Sequence, residues 1–138
     1  MGFFSRLSRL WPTRAPKILV VEDNAEILDL VQDVLTASGY RVTTAVDGVK
    51  GFACFRKEKF DLLILDCNMP RMGGSELLEL IRGTPEGRKQ PVIMLSAERQ
   101  LDPIYKAYDQ GIVEWIPKPF AASVLLAKVE AHLRGRKK

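Results

Sequence analysis

The sequence predicts an α/β protein, in which a doubly wound five-stranded parallel sheet carries five helices on its two faces. Five short apolar runs alternate along the chain with five segments of helical periodicity. The helical segments are long enough to serve as the crossover connections that parallel strands require. The chain has 138 residues, of which 46% are hydrophobic, so one domain with a buried core is expected.

The first strand and helix are predicted at residues 17–21 and 25–38. The strand sequence KILVV is apolar and β-branched, and it stops at two acidic residues. Asn24 is placed to cap the helix, and Gly39 stands where a left-handed residue ends one. The apolar positions that share one helical face are Leu28, Val31, Val34 and Leu35.

The second and third units repeat this pattern, with strands at residues 41–45 and 62–65. Their helices begin at about Asp47 and Ser75. We expect the core-facing positions to be Val49, Phe52, Ala53 and Phe55 in the second helix, and Leu77, Leu78 and Ile81 in the third.

The fourth and fifth strands are predicted at residues 91–95 and 112–116. The fourth helix opens at Asp102-Pro103, a cap followed by proline at the first helical position, and the fifth helix spans about 121–134. The glycine-rich loops typical of nucleotide binding are absent from the sequence, which argues against a nucleotide-binding function.

The net charge of +4 comes from the two ends of the chain. Residues 1–17 and 134–138 each hold four basic residues and no acidic one, whereas residues 18–133 hold 13 basic and 17 acidic residues. A nucleic-acid-binding domain would be expected to carry a basic stripe on its folded body. We therefore expect no direct DNA binding.

The composition also indicates a soluble, cytoplasmic protein. The longest apolar runs have four residues, far fewer than the ~20 that a membrane-spanning helix needs. Two cysteines, Cys54 and Cys67, lack the spacing of a disulfide framework or zinc site and are expected to stay thiols. Residues 1–16 read either as a short basic amphipathic helix that contacts a membrane or partner, or as an extension that is disordered when free.

Charged and hydroxyl residues follow four of the five predicted strands. They are Glu22 and Asp23, Asp66, Ser96, and Lys118. Ligands of open parallel sheets gather at the carboxyl ends of the strands, so these groups are candidates for one site. Two like charges 4 Å apart repel by about 4 kcal/mol at an effective dielectric of 20, so the three carboxylates need a cation. Oxygen ligands favour Mg²⁺.

Such a site could accept a phosphoryl group on a carboxylate. Asp66 would be the nucleophile, while the Ser96 hydroxyl and the Lys118 ammonium would face it, since phosphoryl transfer depends mainly on positioning and charge neutralisation.

These residues resemble those of the receiver domain of bacterial two-component response regulators. The resemblance covers residues 17–134 and rests on VVEDN, LDCNMP, LSAE and GIVEWIPKPF, in the family's order. It implies a flavodoxin-like receiver fold with strand order 2-1-3-4-5, flanked by an N-terminal extension at 1–16 and a basic tail at 135–138.

The resemblance implies that Asp66 accepts a phosphoryl group from a sensor histidine kinase or a phosphotransfer protein. It implies that Asp23, Asp66 and the backbone carbonyl of Asn68 hold Mg²⁺, and that Glu22 assists through a bound water.

By the same resemblance, Ser96 and Lys118 contact phosphate oxygens, and the Lys118–Pro119 bond is cis. The protein is then expected to be a single-domain regulator and not an enzyme, signalling through a downstream protein that binds the fourth helix, fifth strand and fifth helix.

The sequence departs from the family at two positions near this surface. Trp115 replaces the usual Tyr or Phe that acts with Ser96 as a switch, and its indole N–H needs a partner if it is buried. Ile112 replaces a common Ala. Asn68 and Glu98 occupy positions that influence the lifetime of the phosphoryl group in this family.

Two alternatives stay open at this point. Trp115 favours a receiver-like adaptor that does not switch. A Mg²⁺-dependent phosphatase similar to haloacid dehalogenases would use Asp66 as its nucleophile, but those enzymes carry a second Asp where this sequence has Asn68.

Overall fold

A computed structural model describes residues 14–97 and 101–136. Five parallel strands form one sheet in the order β2-β1-β3-β4-β5, as predicted. The strands are β1 Lys17–Val21, β2 Arg41–Ala45, β3 Leu62–Asp66, β4 Val92–Ser96 and β5 Glu114–Pro117. The helices are α1 Ala25–Ala37, α2 Gly48–Lys57, α3 Gly74–Arg82, α4 Leu101–Asp109 and α5 Ala122–Arg136. The expectations for residues 1–13, Glu98 and residues 137–138 lie outside the described residues.

The sheet separates two apolar cores, because successive side chains of a strand point to opposite faces. On one face, Leu19 and Leu63 pack with buried residues of α2, α3 and α4. On the other face, Ile18 and Ile64 pack with buried residues of α1 and α5. Within the described residues, no helix combines the length and the apolar character needed to cross a membrane.

The predicted cap of α1 is confirmed, and α2 is capped in the same way. The side chain of Asn24 accepts the N–H of Ile27 at 3.0 Å, and that of Asp47 accepts the N–H of Lys50 at 2.8 Å. Gly39, which follows α1, has a φ of 94°. These caps start each helix directly after a strand end, which holds the strand ends at one edge of the sheet.

The predicted core face of α2 is wrong at two positions. Val49 is 64% exposed and Ala53 is also exposed, whereas Gly48 and Gly51 are buried beside Phe55. A Cβ at Gly51 would lie 2.7 Å from a methyl group of Val21. The buried face of α2 is therefore formed largely by glycines. A prediction based on large apolar residues does not detect such a face.

The fifth strand begins later than predicted. Ile112 is buried, but its N–H returns to the carbonyl of Ala107 in α4, and Gly111 between them has a φ of 85°. This is the geometry of a helix C-terminus, so Ile112 belongs to the turn that follows α4, and the strand starts at Glu114. The fourth strand is likewise shifted by one residue, to Val92–Ser96.

Arg82 joins the end of α3 to the loops that precede β4 and β5. Its guanidinium donates to the backbone carbonyls of Gly87 and Gln90, both at 2.8 Å, and of Gln110 and Gly111, at 2.7 and 3.2 Å. Burial lowers the pKa of Arg82. One side chain therefore satisfies four carbonyls in two separate loops.

We expect Arg82→Ala to lower the free energy of unfolding by about 2–4 kcal/mol, because four carbonyls, three of them in part-buried hydrogen bonds, lose a charged donor. Urea denaturation measures this loss. Arg88→Ala is the matched control, since Arg88 is exposed and near the same loop. Equal stability of the two variants would contradict the prediction.

Candidate functional site

Three carboxylates meet at the carboxyl edge of the sheet. Glu22 and Asp23 follow β1, Asp66 ends β3, and one oxygen of each lies within 4.8 Å of the others. The two strands are direct neighbours, with Val21 opposite Leu65. Glu22 and Asp66 are buried, whereas Asp23 is exposed. The apolar strands β1 and β3 thus place three carboxylates close together at the carboxyl edge of the sheet.

Lys118 places an ammonium group among these carboxylates. Its Nζ lies 2.8 Å from Oε1 of Glu22 and 3.0 Å from Oδ1 of Asp66. The backbone of Lys118 is held beside β4, because its N–H donates to the carbonyl of Ser96 at 2.8 Å. The Lys118–Pro119 bond is cis, as predicted. One cation against three carboxylates leaves the site with a negative charge.

Glu22 offers an acceptor that the protein does not satisfy by a hydrogen bond. Its Oε2 accepts the N–H of Asn24 at 3.1 Å. Its Oε1 is buried and, although Lys118 lies at ion-pair distance, no donor within the described residues bonds to it with hydrogen-bond geometry. A buried carboxylate oxygen in this condition, beside two further carboxylates, fits a hard divalent cation.

The crowded carboxylates have divergent pKa values. Burial, with the nearby Asp66 carboxylate adding to it, raises the pKa of Glu22 to about 7. Burial and the contact with Asp66 also raise the pKa of Asp23. Burial alone would raise the pKa of Asp66, but hydrogen bonds with its neighbours outweigh it and the pKa is lowered. In the absence of a divalent cation, Glu22 therefore holds a proton below about pH 7, whereas Asp66 is ionised.

The raised pKa of Glu22 predicts a loss of stability as the pH rises. Between its ordinary value of 4.5 and about 7, the folded protein binds a proton that the unfolded chain has released. The stabilisation is complete below pH 4.5 and is lost as the pH passes 7, a change of about 3 kcal/mol. Urea denaturation in EDTA measures it. We expect Glu22→Gln to flatten the profile between these pH values, and an unchanged profile would contradict the assignment to Glu22.

Ser96 and Asn68 are linked by a side-chain hydrogen bond. The Ser96 hydroxyl, fully buried at the end of β4, donates to Oδ1 of Asn68 at 3.0 Å. The backbone N–H of Asn68 donates in turn to Oδ1 of Asp66 at 3.1 Å. The structure therefore brings the residues predicted to bind metal and phosphate to one edge, with Asn68 bonded to both Asp66 and Ser96.

Sequence reasoning missed the part that Gly74 has in this site. Gly74 begins α3, and its N–H donates to the carbonyl of Cys67 at 3.2 Å. A Cβ at this residue would lie 2.5 Å from the carbonyl oxygen of Asp66. The helix therefore abuts the end of β3 because position 74 has no side chain. The doublet Gly73-Gly74, directly after the site loop, is the sequence signal that could have revealed it.

Trp115 lies inside the core on the α2–α4 face of the sheet and is only 8% exposed. The predicted partner for its indole N–H is not found within the described residues, since the nitrogen is buried without an acceptor. Its neighbours in that core are apolar side chains, which explains the unmet donor. Its backbone N–H donates to the hydroxyl of Tyr108 at 3.1 Å, a tie between β5 and α4 that sequence reasoning also missed.

Residues 18–130 match the protein family described as the response regulator receiver domain. The chain therefore belongs to this family, whose members are signalling domains of two-component systems. The receiver domain makes up most of the chain. The strand order and helix number described above are those of the flavodoxin-like fold of chemotaxis receivers.

Two regulators are among the curated relatives. The DNA-binding dual master transcriptional regulator RpaA of Synechocystis is 36% identical over 119 residues, which cover 86% of this chain and 49% of RpaA. The response regulator MprA of Mycobacterium tuberculosis is 36% identical over 121 residues, 88% of this chain and 52% of MprA. The chain thus spans about half the length of these relatives.

Solved structures of receivers are matched over nearly their full length. The chemotaxis protein CheY4 of Vibrio cholerae has a TM-score of 0.80 at 32% identity, covering 85% of this chain and 98% of CheY4. A CheY-like receiver domain protein of Methanospirillum hungatei has a TM-score of 0.81 at 31% identity, and the match covers 89% of this chain and 97% of that protein. These matches give no support to the phosphatase alternative.

Proposed function

We propose that Asp66 is the phosphoacceptor and takes a phosphoryl group, in a Mg²⁺-dependent reaction, from a sensor histidine kinase or a phosphotransfer protein. The observation that carries this proposal is the meeting of Glu22, Asp23 and Asp66 within 4.8 Å, with the Lys118 ammonium 3.0 Å from Asp66. Asp66 is the member of the cluster whose pKa is lowered, so it is ionised and able to act as a nucleophile.

The donor set fits Mg²⁺. In this proposal Asp23, Asp66 and the backbone carbonyl of Asn68 hold the ion, and Glu22 assists through a water that its buried Oε1 accepts. When bound, Mg²⁺ would neutralise charge on the phosphoryl oxygens.

The chain's own groups provide the remaining contacts to the phosphoryl group. In this proposal the ammonium of Lys118 turns from the carboxylates to a phosphoryl oxygen, and the Ser96 hydroxyl donates to another. Ser96 ends β4 and Lys118 follows β5, and these two strands are hydrogen-bonded neighbours, with Ser96 opposite Pro117. The sheet therefore sets the spacing between the two donors, and catalysis rests on this positioning.

The output surface in this proposal comprises α4, β5 and α5. Tyr105 and Tyr108 on α4 are 60% and 43% exposed, and Val124 on α5 is 46% exposed. Exposed aromatic side chains on one surface suit contact with a protein partner. The hydrogen bond from Trp115 to Tyr108 connects this surface to the strand that leads to Lys118.

Residues 17–134 form the receiver domain, 1–16 a basic N-terminal extension and 135–138 a basic tail. The protein acts in the cytoplasm, where cysteines such as Cys54 and Cys67 are not oxidised to disulfides, and it signals by protein contacts without binding DNA itself.

The direct experiment is to incubate the protein with Mg²⁺ and acetyl phosphate and to measure its intact mass. A single phosphoryl adduct that requires Mg²⁺ and disappears with EDTA supports the proposal, and a chain that never gains the adduct overturns it. The non-switching adaptor is tested by the emission of Trp115 in a Trp11→Phe variant. A change on adding Mg²⁺ and beryllofluoride, which imitates the phosphoryl group, excludes the adaptor.

A further inference from the structure

Asn68 contacts the proposed site through two different groups. Its backbone N–H donates to Asp66 at 3.1 Å, and its side-chain carbonyl accepts the Ser96 hydroxyl at 3.0 Å. The Ser96 side chain is fully buried, whereas Asn68 is exposed. The hydrogen bond thus runs from a buried hydroxyl to an amide at the surface of the site.

A serine hydroxyl has one proton and can donate it to one acceptor at a time. In the proposed function this proton goes to a phosphoryl oxygen on Asp66. The same proton is bonded to Asn68 in the unmodified protein described here. The two arrangements exclude each other, so the Asn68 side chain competes with the phosphoryl group for Ser96.

We propose that the side-chain carbonyl of Asn68 is a latch that holds the Ser96 hydroxyl while Asp66 is unmodified, and that this latch opposes the phosphorylated arrangement of the site. This inference rests on the proposed function and adds a regulatory element to it. Asn68 is then a positioning residue, acting through Ser96, in addition to the part proposed for its backbone carbonyl.

The test is a double-mutant cycle of Asn68→Ala and Ser96→Ala. The affinity for beryllofluoride is measured at saturating Mg²⁺ for the four proteins. Asn68→Ala leaves the backbone in place and removes the competing acceptor. It should tighten beryllofluoride binding about threefold to tenfold, the range expected for one neutral hydrogen bond. In the Ser96→Ala background the same substitution should change the affinity less than about twofold.

A second measurement needs neither Mg²⁺ nor beryllofluoride. Thermal unfolding in EDTA reports on the latch in the unmodified protein. Because both substitutions remove the same hydrogen bond, the decreases in Tm of the two single variants should not add in the double variant. Additive decreases would show that the two side chains are not coupled.

The outcomes separate the inference from the proposed function. The latch is overturned if Asn68→Ala binds beryllofluoride no more tightly than the wild type, or if it tightens binding equally with and without the Ser96 hydroxyl. In either case, beryllofluoride binding by the wild type would still support the proposed function. Wild-type protein that fails to bind beryllofluoride with Mg²⁺ overturns the proposed function and the latch together.

Discussion

Replacing Asp66 by asparagine is expected to abolish the phosphoryl adduct completely. The amide has the shape of the carboxylate and keeps an oxygen able to accept from Lys118 and from the N–H of Asn68, so the site should retain its form. The amide lacks the negative charge that makes the carboxylate a nucleophile.

Intact mass after incubation with Mg²⁺ and acetyl phosphate provides the measurement. Asp33→Asn is the matched control, because Asp33 is exposed on α1, away from the strand ends, and this variant should be labelled like the wild type. An adduct that persists in Asp66→Asn would place the phosphoacceptor elsewhere and contradict the proposal.

Replacing Lys118 by methionine is expected to lower the free energy of unfolding by about 3–5 kcal/mol in metal-free buffer. Breaking a buried ion pair by removing one partner leaves an uncompensated charge, and here Glu22 and Asp66 both lose the ammonium that lies within 3.0 Å. Burial by itself lowers the pKa of Lys118, but its bonds to these carboxylates outweigh burial and raise it, so its charge is held in the folded state.

Urea denaturation in EDTA at pH 8 tests this expectation. Adding Glu22→Gln to Lys118→Met should recover part of the lost stability, because removing the charge of Glu22 removes its repulsion with Asp66. Lys128→Met is the control, since Lys128 forms a half-exposed pair with Glu114 at 3.4 Å and should contribute less than about 1 kcal/mol. Similar losses in the two lysine variants would show that Lys118 is not the site's counter-charge.

The sequence predicted the strands and the convergence of Glu22, Asp23 and Asp66 because both depend on local patterns. An apolar β-branched run indicates a buried strand, and the residue that ends it lies at the sheet edge. The roles of these residues in phosphoryl transfer and metal binding stay predictions.

The features that sequence reasoning missed depend on how closely elements approach one another. The buried face of α2 is built on Gly48 and Gly51, which carry no hydrophobic signal. The bonds from Arg82 to the carbonyls of Gln110 and Gly111 join segments distant in sequence, and the bond between Trp115 and Tyr108 joins a strand to the preceding helix; no periodicity encodes either.

The contact between Gly74 and the carbonyl of Asp66 makes the two sides of the site mechanically unequal. With only 2.5 Å available to a Cβ, α3 has no slack against the end of β3. The opposite side consists of Ser96 and Lys118, whose side chains hold the site by hydrogen bonds and ion pairs that can exchange partners. A displacement of the Asp66 carboxylate is therefore expected to shift the side chains of Ser96 and Lys118 rather than the start of α3.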